Sequence, residues 1–161
     1  LTNNIIKKDG TSISDENIKT LIADFFKNYT LKMDIVNGAK DSLNKLSRYY
    51  NIIILSNIPH EFYVQRKKAL KKNSINYLFI SNNGNKGEAV RKITANNTQK
   101  CWFIDDSPFQ IMSVKKEAPE VETIHLVTNK RLLELMQDEH KISTLQNWKE
   151  LEKLIISKTK K

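Results

Sequence analysis

The chain has 161 residues, 39% of them hydrophobic and 28% charged, with a net charge of +9, which suits one domain with a real core better than two independent ones. No apolar run approaches the roughly 18 residues of a membrane span, no basic-then-apolar leader opens the sequence, and the single Cys101 excludes an internal disulfide. A soluble protein of a reducing cytoplasm is therefore expected.

The basic residues are scattered over several predicted helices (Lys67, Lys68, Lys71 and Lys72; Lys115 and Lys116; Lys158, Lys160 and Lys161), with no interleaved aromatics and no nucleic-acid motif. Such runs read as solvated helix faces, against a nucleic-acid partner. Ser14 or Asp15 caps a helix predicted over about 15–29, whose Ile18, Leu21, Ile22, Phe25, Phe26 and Tyr29 recur at helical spacing and should pack inward. A second helix follows Asn37-Gly38, with Ala39, Leu43 and Leu46 inward, and leads into Asn51-Ile52-Ile53-Ile54-Leu55-Ser56-Asn57. Four consecutive branched aliphatics without alternation predict a strand buried on both faces of a parallel sheet.

Residues 59–72 read as helix, 77–81 as a short strand, and 86–96 as a helix with Ala89, Val90 and Ile93 inward. A strand over 101–104 follows, then a short helix opened by Ser107-Pro108, a strand over 121–127, and two helices over about 130–137 and 145–156. Strands alternate with helices, an order that implies an α/β, three-layer Rossmann-like parallel sheet with helices on both faces. No repeat or linker divides residues 1–161; residues 1–35 hold the first helix and room for a small flap or minimal cap.

In open α/β sheets ligands bind beyond the carboxyl ends of the strands. Three polar groups fall at such positions: Ser56-Asn57, Lys86 and Asp105-Asp106. The acidic pair follows four apolar residues, and adjacent like charges repel. Ser107 with Pro108 already has the form of an N-cap, so capping leaves both carboxylates unexplained. A divalent cation suits them, since Mg²⁺ takes oxygen ligands from one or two carboxylates plus water and phosphate. On this view Asp105→Ala should spare the fold, because it relieves repulsion. Lys86 opens a helix, where the macrodipole disfavours a cation, so it is either a surface lysine or a partner for an anion drawn to the same terminus. Ser56 and Asn57 make either a plain turn or a cradle for phosphate oxygens.

Ser-Asn after an aliphatic strand, Lys opening a helix about 30 residues later, and Asp-Asp ending another strand about 20 residues beyond resemble the second, third and fourth motifs of the haloacid dehalogenase (HAD) superfamily. The phrase Asn37-Gly38-Ala39-Lys40-Asp41-Ser42-Leu43 resembles the turn and helix before its second motif. The resemblance covers about Val36 to Val127. It implies a Mg²⁺-dependent phosphomonoester hydrolase in which Asp105 ligates Mg²⁺, with Asp106 binding it through water or orienting its neighbour. Ser56 and Asn57 would contact the phosphoryl group, and Lys86 would neutralise phosphate and tether the nucleophile. Catalytic roles then fall to Ser56, Lys86 and Asp106, and the partner is a phosphorylated substrate of unspecified identity.

The family's first motif, Asp-x-Asp after an opening strand, has no match. Asp9-Gly10-Thr11 is preceded by Lys7-Lys8 where an apolar strand should stand. The resemblance therefore places the first strand and the nucleophilic Asp just upstream of Leu1, and residues 1–161 alone should lack turnover. A HAD-like binding or regulatory module without catalysis is the alternative. A receiver-like domain is a third, but residues 77–83 offer no acceptor Asp. Elsewhere His60 reads as exposed, His125 as a strand residue facing a polar edge, Trp102 and Phe103 as core, and Cys101 as a small buried residue.

Overall fold

The structure, a computed structural model, describes residues 10, 13–135 and 143–159. In chain order these form α1 (Asp15–Tyr29), α2 (Ala39–Leu46), β1 (Ile53–Ser56), a 3₁₀ turn (His60–Phe62), α3 (Tyr63–Lys72), β2 (Leu78–Ser81) and α4 (Gly87–Thr94). There follow β3 (Trp102–Asp105), α5 (Pro108–Glu117), β4 (Glu122–Leu126), α6 (Lys130–Leu135), β5 (Thr144–Leu145) and α7 (Trp148–Thr159). The chain is α/β, with two small parallel sheets in place of one continuous sheet. One pairs β1 with β2, and the other runs β3-β4-β5. No helix among the described residues is long and apolar enough to cross a membrane.

Local chemistry explains most boundaries. The Ser14 hydroxyl accepts from the Asn17 N–H at 3.4 Å and so caps α1. Gly38, at φ +79°, supplies the left-handed turn into α2 that a side chain would resist. Asn147 Oδ1 accepts from the Glu150 N–H at 2.9 Å and sets the start of α7. The helix expected from Leu145 thus begins three residues later. Leu145 instead pairs with Leu126 in β5, a two-residue strand that has too few residues to show an alternation. Residues 136 and 137 of the other expected C-terminal helix, Lys160 and Lys161, and the Asp9 and Thr11 of the rejected fragment lie outside the described residues.

Apolar side chains pack on both faces of the strands. On one face Val90 of α4 and Ile111 and Val114 of α5 meet Phe103 of β3, with Leu55 of β1 against them. On the other, Leu46, Leu151 and Ile155 of α2 and α7 cover Ile124, Leu126, Trp102 and Ile104. Leu43 and Leu70 of α2 and α3 cover Phe79 and Ile54. The α4–α5 contact depends on a glycine: a Cβ at Gly87 would stand 2.3 Å from the Ser113 carbonyl oxygen, a backbone atom that cannot step aside cheaply.

Three burial expectations are corrected. In α1 only Ile18 is buried, while Leu21, Ile22, Phe25 and Tyr29 stay exposed; Phe26 stacks on Phe62 at 5.9 Å. Ile93 of α4 is exposed too. The aliphatic run of β1 is only half-buried, Ile53 being 37% exposed, because beyond the edge of β1 lies a cavity and no further strand among the described residues.

Helices α2 and α7 are joined by a polar latch. Lys45 Nζ sits 2.9 Å from Glu152 Oε1, and the Ser42 hydroxyl bonds Glu152 Oε2 at 3.0 Å. The Lys45 hydrogen bond, aided by Ser42, holds the Glu152 carboxyl below its usual range. A carboxyl depressed in the folded state stabilises above its unfolded pKa, and that contribution is lost as the pH falls through the folded value. Glu152→Gln should therefore lower the melting temperature at pH 7 and converge with the parent in acid, as thermal melts across pH would show. Gly87→Ala should cost about 1–3 kcal/mol by overpacking the α4–α5 seam, measurable by urea unfolding.

Candidate functional site

The loop after β2 and the ends of β1 and β3 meet at one edge of the molecule. Lys86 holds the N-cap position of α4 without a side-chain cap of its own. Instead Gln110 Oε1 accepts from the Lys86 N–H at 2.8 Å, and Ser113 Oγ accepts from the Gly87 N–H at 3.1 Å. Two of the orphan donors of α4 are thus satisfied from α5. This fixes the Lys86 backbone so that its ammonium lies 2.7 Å from Asp105 Oδ2, with side chains only 12% and 7% exposed. The helix terminus that disfavours this cation is offset by a buried carboxylate.

The other oxygen of Asp105 is also engaged. Oδ1 accepts from the Ser107 N–H at 2.9 Å, shaping the turn from β3 into α5. Ser107 is the N-cap residue of α5, but its hydroxyl makes no capping bond. Two expectations change as a result: Asp105 performs local structural work that had been assigned to Ser107, and its removal would leave Lys86 buried without a partner. The acidic neighbours are also separated. Asp106 is exposed, and its carboxylate bonds to no described residue; its carbonyl oxygen contacts His125 Nε2 at 3.1 Å.

Asn57 reaches this region through its side-chain amide, and Ser56 through its backbone carbonyl. Asn57 donates to the Gly84 carbonyl at 2.7 Å, and its Oδ1 accepts from Asn82 at 2.8 Å. Gln110 donates to the same Gly84 oxygen at 3.3 Å, so β1, the loop before Lys86 and α5 converge on one backbone atom. The half-buried Ser56 takes the Asn82 N–H on its carbonyl at 2.8 Å, and its hydroxyl has no partner among the described residues. The structure thus brings Lys86 and Asp105 into contact, ties Asn57 to them through Gly84 and Gln110, and leaves the Ser56 hydroxyl and the Asp106 carboxylate without partners among the described residues.

Sequence reasoning missed Gln110, Ser113 and Asn82, whose roles come from distant contacts. It also misplaced His125, which is 2% exposed rather than at a polar edge. His125 stands opposite Asp105 in the β3–β4 register and links the Asp106 carbonyl to the Thr144 hydroxyl, 2.7 Å from Nδ1. His60 is exposed as expected, with Nδ1 3.2 Å from the Ser81 hydroxyl. Phe103 is buried, while Trp102 and Cys101 are only half-buried.

Asp105 and Asp106 offer two carboxylates, and no group of three His, Cys, Asp or Glu side chains gathers among the described residues. Two carboxylates are the protein's usual share of a Mg²⁺ site completed by water and phosphate; here both oxygens of Asp105 are taken by Lys86 and the Ser107 N–H. No family model and no curated protein matches the chain.

Breaking a buried pair by removing one partner costs about 3–5 kcal/mol, whereas replacing both partners by apolar groups is often nearly neutral. Asp105→Leu should accordingly destabilise the domain, and adding Lys86→Met should recover most of the loss. A urea-unfolding double-mutant cycle checks this; additive effects would mean that the pair is not coupled.

Proposed function

We propose that the protein is a HAD-like, Mg²⁺-dependent phosphomonoester hydrolase built on a three-layer parallel sheet, with a nucleophilic Asp supplied by residues upstream of Leu1. One observation carries this reading. Lys86 and Asp105, 19 positions apart, meet at 2.7 Å beside the carboxyl end of β3, in the region that amide hydrogen bonds join to the end of β1. Such a site lies where open α/β sheets bind ligands.

Each residue has a role in that chemistry. The Ser56 hydroxyl donates to a phosphoryl oxygen, for which its lack of a partner among the described residues leaves it available. Asn57 positions the Ser56 turn against Gly84. Lys86 neutralises charge on the transferring group and on the attacking carboxylate, and its fixed backbone keeps the ammonium in place. Asp105 and Asp106 would hold the cation, which supplies charge stabilisation at the phosphoryl oxygens. Attack by the Asp forms an aspartyl-phosphate and releases the alcohol; water then cleaves that intermediate, replacing one difficult displacement by two.

A second reading, a HAD-like binding or regulatory module without catalysis, is favoured by Asp105 itself, since Lys86 and Ser107 satisfy both its oxygens with no metal needed. Turnover of an aryl phosphate by the protein carrying its natural upstream residues separates the two. The enzyme reading expects hydrolysis that chelation abolishes, and a loss of about 10²–10³ in kcat on Ser56→Ala with the fold intact. Turnover indifferent to chelation and to Ser56→Ala would refute it, and absence of turnover would favour the module.

A further inference from the structure

His125 is a buried polar side chain that the phosphoryl chemistry leaves without a task. It is 2% exposed, and a buried imidazole is costly unless both ring nitrogens are satisfied. Nε2 lies 3.1 Å from the Asp106 carbonyl oxygen, and Nδ1 lies 2.7 Å from the Thr144 hydroxyl. A carbonyl can only accept, so Nε2 carries a proton, and in the neutral ring Nδ1 then accepts from Thr144. An apolar side chain at this place would need neither bond; what the histidine adds is a donor aimed at one peptide group.

Asp105, His125 and Thr144 stand abreast on β3, β4 and β5. One row earlier, Ile104 and Ile124 face α2 and α7. The pleat therefore turns Asp105 and His125 to the other face, the one that α4 and α5 cover. There both side chains hold the same group. The peptide that joins Asp106 to Ser107 accepts from His125 on its C=O, and its N–H donates to Asp105 Oδ1 at 2.9 Å. A peptide unit is planar and rigid, so bonds at its two ends fix its tilt. That tilt constrains the direction of the Asp106 side chain at one end and the entry into α5 at the other. The same N–H anchors Oδ1 of Asp105, whose Oδ2 receives Lys86 at 2.7 Å. Hydrogen bonds thus run unbroken from Thr144 to Lys86, and a bond accepted by a peptide C=O strengthens the one that its N–H donates.

We propose that His125 is a positioning residue for this site: held by Thr144 and acting through the Asp106–Ser107 peptide, it sets the directions of the Asp105 and Asp106 carboxylates. The proposal rests on the phosphatase reading for what those carboxylates do, and on the hydrogen bonds alone for how they are held.

Three variants of the protein carrying its natural upstream residues separate the two sides of the ring. His125→Gln keeps an N–H where Nε2 stands, His125→Asn keeps only the group that faces Thr144, and His125→Leu keeps neither. Asn and Leu should speed hydrogen exchange of the Ser107 amide about tenfold relative to the amides of α7, while Gln stays within about threefold of the parent. Aryl-phosphate turnover should follow the same order, kcat falling about tenfold in Asn and Leu with KM unchanged, and Gln restoring it. Equal losses in Gln and Asn, or Ser107 exchange that changes only in step with α7, would reveal a purely structural histidine and overturn the proposal. A kcat indifferent to all three variants would overturn it too. The imidazole nitrogen NMR shifts of the parent add a test that needs no variant: a ring protonated on Nδ1 and bare on Nε2 would refute the assigned bonds. The expected Ser107 exchange in a parent without turnover would uphold the positioning and count against the catalytic reading.

Discussion

Parallel pairing is the constraint on which the rest of this molecule depends. A parallel strand cannot be reached by a tight turn, so every connection must travel back along the sheet, here through α3, α4, α5 and α6. Loops that leave carboxyl ends therefore gather at one edge, and polar residues that would be scattered in a meander are collected there. Ser56, the Asn82–Lys86 loop and Asp105 come together for that reason. The same constraint demands apolar cover on both faces, which α2, α3 and α7 provide on one side and α4 and α5 on the other.

The Lys86–Asp105 pair is the sharpest electrostatic feature of this edge. Desolvating two charges is unfavourable, and their attraction offsets that cost only when geometry is good and remaining hydrogen-bonding capacity is used. Asp105 meets the condition through Lys86 and the Ser107 N–H together. The ion pair is what the structure holds, and the proposed phosphate role does not oppose it: the ammonium paired with Asp105 is the one that an anionic ligand would meet. The neighbouring Asp106, exposed and without a described protein partner, differs from Asp105 in environment rather than in chemistry.

The alternation of helices and strands was legible because each element carries a local signal: the period of α1, the aliphatic run of β1, the Asn-Gly turn before α2. The positions of Ser56, Lys86 and Asp105 at element ends followed from those boundaries. What sequence could not convey was set by partners far along the chain. The inward face expected for α1 depends on what packs against it, and β5 owes its existence to the edge of β4 rather than to its two residues. The burial of His125 follows from pairing opposite Asp105, and the engagement of Asp105 with Ser107 is a turn geometry that the Ser-Pro cap signal concealed.

The missing local cap of α4 has a consequence for how the site comes into being. Its first N–H donors are satisfied by Gln110 and Ser113, 24 and 26 positions downstream, and Gly87 admits the Ser113 backbone where any side chain would exclude it. The first turn of α4 is therefore complete only after α5 has docked, and α5 docks only after β3 has delivered it. Those two helices make and lose their structure as one cooperative unit. Lys86 keeps its place opposite Asp105 only while that unit is assembled, so the charge pair depends on the docking of α5 as much as on the two charges.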